Sequence, residues 1–300
     1  MSPIDGELAA LSTALCWAFG SVLFTIGGLR IGSANINRGR LIIAAIFLST
    51  THIIITGKLL PIDATPDRWL WFGLSGIVGF IIGDGMLFEA FVIIGPRLSM
   101  LLMALVPVMS ALWGWLLFGE YLNVMEITAI AITIAGILWV VSDKQKTSAD
   151  VRGKRLMLGI ALGIGGALGQ AIGLALSKKG LAGEFPALSG NVIRVTIAAS
   201  VLWTITLIGG RFQSTIKSFG DKRATLALCG GAFFGPFIGV WLSLVSIKYA
   251  KLGIATTLMS LTPVFLIPIS KIVFKEKISL GAIFGTVIAL TGAAILLLSK

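Results

Sequence analysis

Charge is what this 300-residue chain has least of. Only 12% of its residues are Asp, Glu, Lys or Arg, about half the share carried by an ordinary soluble domain. With 56% hydrophobic residues there is too little polar surface to cover a water-soluble body, which excludes a soluble enzyme and a disordered chain alike. Cysteine is equally scarce. Cys16 and Cys229 both sit in apolar stretches, too few and too far apart for a disulfide framework or a metal site. A single histidine, His52, rules out a histidine cluster. No span holds carboxylates paired at i+3 or i+4, and there is no phosphate loop and no metal constellation. Catalytic residues, metals and cofactors are therefore expected to be none, and the chain is not read as an enzyme. A mean hydropathy of +0.99 identifies an integral membrane protein.

The basic excess, 24 Lys and Arg against 13 Asp and Glu, lies between apolar segments. It reads as orientation and lipid-headgroup contact, with no nucleic-acid partner. No cleavable signal is read, because the first apolar segment begins near Leu8 without a basic leader and is expected to be a retained span. At about 20 residues per crossing, the chain divides into ten segments, near 6–28, 34–56, 69–93, 97–118, 123–141, 155–177, 187–208, 223–247, 252–273 and 278–298. The polar connector after the fifth, with Lys144, Lys146, Arg152, Lys154 and Arg155, falls at the middle of the chain.

The two halves repeat. A constant offset of 156 residues matches Pro107 to Pro263, Glu120 to Glu276, Gly79 to Gly235, Gly83 to Gly239 and Gly136 to Gly292. An offset of 154 matches Asn37 to Asn191 and Arg40 to Arg194. Leucine and isoleucine matches are cheap in such a composition, but Pro, Glu, Asn and Arg matches are not. The expected organisation is a first five-helix repeat over 1–142, a basic linker over 143–154 and a second repeat over 155–300. Five is odd, so the second copy enters the membrane from the opposite side. The expected fold is all-α, with ten transmembrane helices arranged as two inverted repeats, as in many secondary transporters.

Gly83-Asp84, Ile94-Gly95-Pro96-Arg97, Leu105-Val106-Pro107-Val108 and Leu117-Phe118-Gly119-Glu120, with Gly136 beyond them, form a skeleton. The second copy repeats it in Leu261-Thr262-Pro263-Val264, Phe274-Lys275-Glu276 and Gly292. Over essentially the whole chain it resembles the drug/metabolite transporter superfamily, EamA-like branch. The resemblance implies a central cavity built from the first four helices of each repeat, peripheral fifth and tenth helices, and export of small metabolites or amino acids. The second copy departs from the first, with Lys275 where Gly119 stands and no acid opposite Asp84 or Glu89.

Ionisable groups inside a span cost a few kcal/mol each, so those present are candidates for function. Asp84, flanked by Gly83 and Gly85, reads either as a cavity carboxylate that binds an amine or takes a proton, or as an acid held for packing. Glu89 is about 140° around the helix from Asp84 and is expected to pair with Arg40 at the start of the second helix. Arg194, the mate of Arg40, is either a snorkelling interfacial residue or a gate and anion contact. Trp17 and Trp241 could offer a ring face to an organic or cationic substrate. Ser21, Gln170 and Ser243 are further candidates for the cavity wall. Pro107, Pro236 and Pro263, with Pro268, interrupt helices and are hinge candidates. Stripes of Gly165, Gly169, Gly173 and of Ala10, Ala14, Ala18 read as close packing.

The expected function is a secondary active or facilitative transporter, in the cell membrane, that exports small organic metabolites by alternating access. Its partners would be a small-molecule substrate and the lipid bilayer, with proton coupling through Asp84, in a monomer or a homodimer. A lipid-linked flippase and a non-transporting accessory protein are the competing readings. Loop charges put both termini outside, whereas the resemblance implies both in the cytoplasm.

Overall fold

The computed structural model describes residues 3–142, 153–273 and 279–298. Most of the basic linker, together with Phe274, Lys275 and Glu276, lies outside them. The described residues form helices α1 (Pro3–Ile31), α2 (Ser33–Thr56), α3 (Pro66–Gly76), α4 (Asp84–Met103), α5 (Val106–Phe118), α6 (Val124–Ser142) and α7 (Lys154–Gly180). There follow α8 (Ala187–Ile208), α9 (Phe212–Ser218), α10 (Lys222–Ala232), α11 (Val240–Tyr249), α12 (Leu252–Met259), α13 (Thr262–Val273) and α14 (Leu280–Leu298). Among the described residues, six stretches are long and apolar enough to cross a bilayer: Pro3–Ile31, Ser33–Thr56, Pro66–Ala90, Lys154–Gly180, Ala187–Ile208 and Lys222–Tyr249. Shorter apolar helices are Val106–Phe118, Val124–Trp139, Leu252–Leu266 and Ile283–Ile295.

The connections are short and chemically explicit. Gly32 (φ 86°) and Gly119 (φ 62°) occupy the left-handed region that other residues avoid, and each ends a helix abruptly. Asn123 and Glu126 exchange backbone and side-chain hydrogen bonds across the first turn of α6, at 2.7 and 2.8 Å. That reciprocal cap satisfies donors a bilayer could not. One boundary differs from expectation. No helix ends near residue 93; α4 runs on to Met103. The contacts along α7 nevertheless reverse within it. Gly166 faces Leu87 and Gly159 faces Ile94, but Gly163 then faces Leu102 and Ala167 packs with Val106. The order in which α7 meets this stretch therefore changes between Ile94 and Leu102.

Repeat mates pack on each other in antiparallel fashion. In α2 and α8, Trp203 donates to the Arg38 carbonyl at one end and His52 meets Ser189 at the other. In α6 and α14, Gly136 abuts Ala289 while Gly292 abuts Thr133. α1 packs on α10 and α11, and its counterpart α7 packs on α3 and α4. A further correspondence, missed in the sequence, links these two helices at an offset of 153: Gly6 to Gly159, Ala14 to Ala167, Ala18 to Ala171, Gly20 to Gly173 and Gly27 to Gly180. Their contacts obey it. Gly6 meets Ala250 where Gly159 meets Ile94, and Gly20 meets Gly235 where Gly173 meets Gly79. These small residues bring backbones together, which is how helices associate where lipid offers no hydrophobic drive.

Two wide π turns, Ile77–Gly83 and Phe233–Gly239, interrupt the long helices at positions 156 apart. A π turn leaves carbonyls displaced from the regular ladder, and each is met by an asparagine from the neighbouring repeat-mate helix. Asn37 donates to the Phe80 carbonyl at 3.3 Å and Asn191 to the Pro236 carbonyl at 3.0 Å. Pro236 thus sits inside a π turn, as a mid-span interruption should. Pro107 and Pro263 do not interrupt a helix in its middle. Each stands in the first turn of a new helix, α5 or α13, after a break at 104–105 or 260–261, where its missing N–H is no loss.

Helix contact this close leaves a testable signature. A Cβ on Gly169 would lie 2.7 Å from the Gly83 Cα, whereas one on Gly85 would meet nothing within 4 Å. Gly169→Ala is expected to destabilise the detergent-solubilised protein by about 1–3 kcal/mol, and Gly85→Ala by much less. Equal melting temperatures for the two variants would contradict this packing.

Candidate functional site

The π turn Ile77–Gly83 ends at Asp84, so the first residue of α4 projects from a helix whose register has just shifted. Its carboxylate forms an ion pair with Nη2 of Arg40. Arg40 is held in turn by its Nε donating to Asn37 Oδ1 at 2.9 Å. One asparagine side chain therefore binds the displaced carbonyl through its amide and aims the guanidinium through its oxygen. Phenylalanine rings surround the guanidinium: Phe88 at 4.9 Å, Phe80 at 5.7 Å and Phe24 at 5.8 Å from ring centre to Cζ. A charge pair walled by aromatic faces suits a low-dielectric site, because each ring offers its negative face to the cation.

The pair lines a cavity of about 440 Å³, within the size range of small-molecule sites. Its wall runs from Trp17 and Gln170 at mid-depth to Gly28, Leu29 and Ser33 near the α1–α2 connection, hereafter the Gly32 face. Ser21, Phe24 and Thr25 of α1 face Phe80, Asp84 and Phe88 across it. Among the described residues, Asp84 is the one carboxylate in this wall. Below, a narrower space of about 60 Å³ touches Trp17, Gln170, Thr256, Ser260 and Pro263.

The opposite face, where the chain passes Asn123 between α5 and α6, is tied together by ion pairs. Lys178 lies 2.5 Å from Glu120 and donates to the Ala250 carbonyl at 2.8 Å. Glu120 accepts from the Leu252 amide at 2.7 Å, and Lys251 pairs with Glu126 at 2.6 Å. These contacts tie α5, α6, α7 and the start of α12 together. His52 is buried on this face too, with Nδ1 against the Lys58 carbonyl and Nε2 against Ser189 Oγ.

The structure brings together Asp84, Arg40, Trp17, Ser21, Gln170 and Pro236, all lining the cavity. The expected Arg40–Glu89 pairing is corrected: Glu89 is exposed on the outer side of α4, as its angular offset requires, and Asp84 takes Arg40 instead. Arg194 is not interfacial. It is 1% exposed, with its guanidinium 4.3 Å from the Phe80 ring centre. Trp241 and Ser243 lie away from the cavity wall. Trp241 packs against Phe237 and the core, and the Ser243 hydroxyl donates to the Val240 carbonyl of its own helix. Phe80 and Phe88 were not singled out in the sequence, where aromatic residues in apolar runs carry no mark; the latch at Glu120 was visible only as a repeated motif. Among the described residues, no group of three His, Cys, Asp or Glu side chains could hold a metal ion.

These features define a multi-pass integral membrane protein, made of two related helical units around a cavity with a charged pair in its wall. Residues 4–142 and 157–298 each match the EamA-like transporter family, and the chain belongs to that family of membrane transporters. No curated protein sequence matches the chain. Among solved structures, one described only as the crystal structure of a protein is similar with a TM-score of 0.76. The alignment covers 98% of this chain and 96% of that one at 14% identity, a likeness of fold alone.

Breaking a buried pair leaves an uncompensated charge. Asp84→Asn is expected to destabilise the protein in micelles by about 3 kcal/mol, the lower end for buried ion pairs because this one borders a cavity. The double variant Arg40→Met/Asp84→Asn is expected to recover most of that loss. Additive losses in the double variant, measured by denaturant unfolding, would show that the two charges do not act on each other.

Proposed function

We propose that this protein is a secondary transporter that exports small organic metabolites, amino-acid-like compounds foremost, across the cell membrane by alternating access. The proposal takes the described helices as ten spans in two inverted repeats, 1–142 and 155–300, joined by a basic linker over 143–154. The observation that carries it is the Arg40–Asp84 pair in the wall of an aromatic-lined cavity that borders one face while ion pairs tie the other together. A carboxylate group of a substrate would meet Arg40, an ammonium group would meet Asp84, and the organic body would lie among Trp17, Phe24, Phe80 and Phe88. Proton uptake on Asp84 would release Arg40 for the substrate anion, which is the physical route to proton coupling. Without a nucleotide-binding domain in the chain, the driving force would be an ion gradient, exchange or the gradient of the substrate itself.

Counterflow in proteoliposomes loaded with a mixed amino-acid and metabolite pool tests this reading. Wild type is expected to give saturable exchange that depends on internal pH, and Asp84→Asn to lose that dependence. pH-dependent exchange that survives the substitution would remove Asp84 from the coupling step. Absence of exchange from folded wild-type protein would favour a lipid-linked flippase.

A further inference from the structure

One hydrogen bond of the first repeat has no counterpart in the second. In the first, Arg40 Nε donates to Asn37 Oδ1. In the second, the mates Arg194 and Asn191 stand at the same spacing, and that bond is not made. Arg194 Nε and Nη2 and Asn191 Oδ1 are all buried without a hydrogen-bond partner. Guanidinium nitrogens buried without hydrogen-bond partners are costly for a fold to carry. Its retention needs a reason, and the closeness of a donor and an acceptor that could satisfy each other narrows the choice.

The asymmetry extends to the surroundings. Ser21, Phe24 and Ile36 line the cavity. Their mates, at offsets of 153 and 154, are Leu174, Ser177 and Gly190, and all three are buried. The Arg194 guanidinium lies against Gly79 and Gly173, the mates of Gly235 and Gly20, which line the cavity beside Arg40. Phe80 has two guanidinium groups near its ring, Arg194 at 4.3 Å and Arg40 at 5.7 Å from the ring centre. Two arginines thus lie against one aromatic ring, and one of them, Arg40, is paired with Asp84. Two repeats related by a two-fold axis can exchange conformations at similar energy.

We propose that Arg194 is the second substrate-binding cation: when the cavity opens to the Asn123 face, Arg194 takes the place of Arg40, pairing with Asp84 and meeting the anionic group of the substrate. This rests on the transporter reading above. In the exchanged state Arg194 Nε would donate to Asn191 Oδ1, and Leu174 and Ser177 would border water. The closing pair Lys178–Glu120 would open. Phe80 would separate the two cations in both states, so Asp84 would face one arginine at a time.

The test needs no known substrate. Single cysteines are placed at Ser21, Leu174 and Ser177 in protein whose Cys16 and Cys229 are replaced by alanine, reconstituted in sealed vesicles of defined orientation. A membrane-impermeant maleimide is then applied from each face. Ser21→Cys is expected to react from the Gly32 face. Leu174→Cys and Ser177→Cys are expected to react from the Asn123 face, faster when Glu120→Gln weakens the closure. Arg194→Met removes the partner that Asp84 needs in the exchanged state. It is expected to slow the reaction of both second-repeat cysteines by about tenfold or more, while Arg194→Lys keeps it within a few-fold. Reaction from the Asn123 face that is indifferent to Arg194→Met would overturn the role of Arg194 and leave alternating access standing. Failure of both second-repeat cysteines to react from that face, with Ser21→Cys reactive, would overturn the proposal together with the alternating-access reading.

Discussion

A charge in the hydrocarbon of a bilayer must find a partner within the protein, and Arg40 and Asp84 have found each other. Everything around them serves that meeting. The π turn Ile77–Gly83 shifts the register of the helix so that Asp84 turns inward while Glu89, five residues on, stays exposed. Asn37 holds the displaced Phe80 carbonyl and the Arg40 guanidinium at once. Three phenylalanine rings complete the enclosure. A regular α-helix through residues 77–83 would present a different side chain to the cavity, and the guanidinium would be left without its counter-ion.

The same device occurs in the second repeat with a different outcome. Its π turn carries Pro236 where the first has Phe80, and Asn191 holds the carbonyl as Asn37 does. But Val240 stands where Asp84 should be, so the second arginine has no acid of its own. Of the two arginines only Arg40 is paired with an acid, which gives the two halves matching geometry and unequal charge. Matching geometry permits two states of similar energy; in the proposed exchange the carboxylate would be the element on which they compete.

Much of this was legible in the sequence because the signals were chemically expensive. Membrane-spanning segments announce themselves by the absence of charge over some 20 residues. The repeats were legible from matched Asn, Arg, Pro and Glu, which apolar composition does not produce by chance. The correspondence between α1 and α7 went unread because it is written in glycine and alanine, which recur everywhere in such helices. The π turns were hidden for a related reason: a register shift of one residue needs no special residue beyond small ones that let backbones approach, and its partner, Asn37, is 43 positions away along the chain. Arg40 was assigned to Glu89 because a straight helix brings both to the same face of the membrane. Only the wide turn makes Asp84 the nearer acid. The fates of Trp241 and Ser243 follow from local packing, Phe237 and the Val240 carbonyl having claimed them.

The proposed alternating access requires the cavity holding Arg40 and Asp84 to open to each face in turn. Leu29 and Glu89, both exposed, lie on α1 and α4, two helices that line its mouth at the Gly32 face. Spin labels at these two positions, in protein with Cys16 and Cys229 replaced, report the width of that mouth by electron–electron double resonance. Two interconverting distance populations, with the shorter one favoured when Arg40→Met leaves Arg194 as the only partner for Asp84, are what this account predicts. A single distance, unmoved by Arg40→Met, would contradict it.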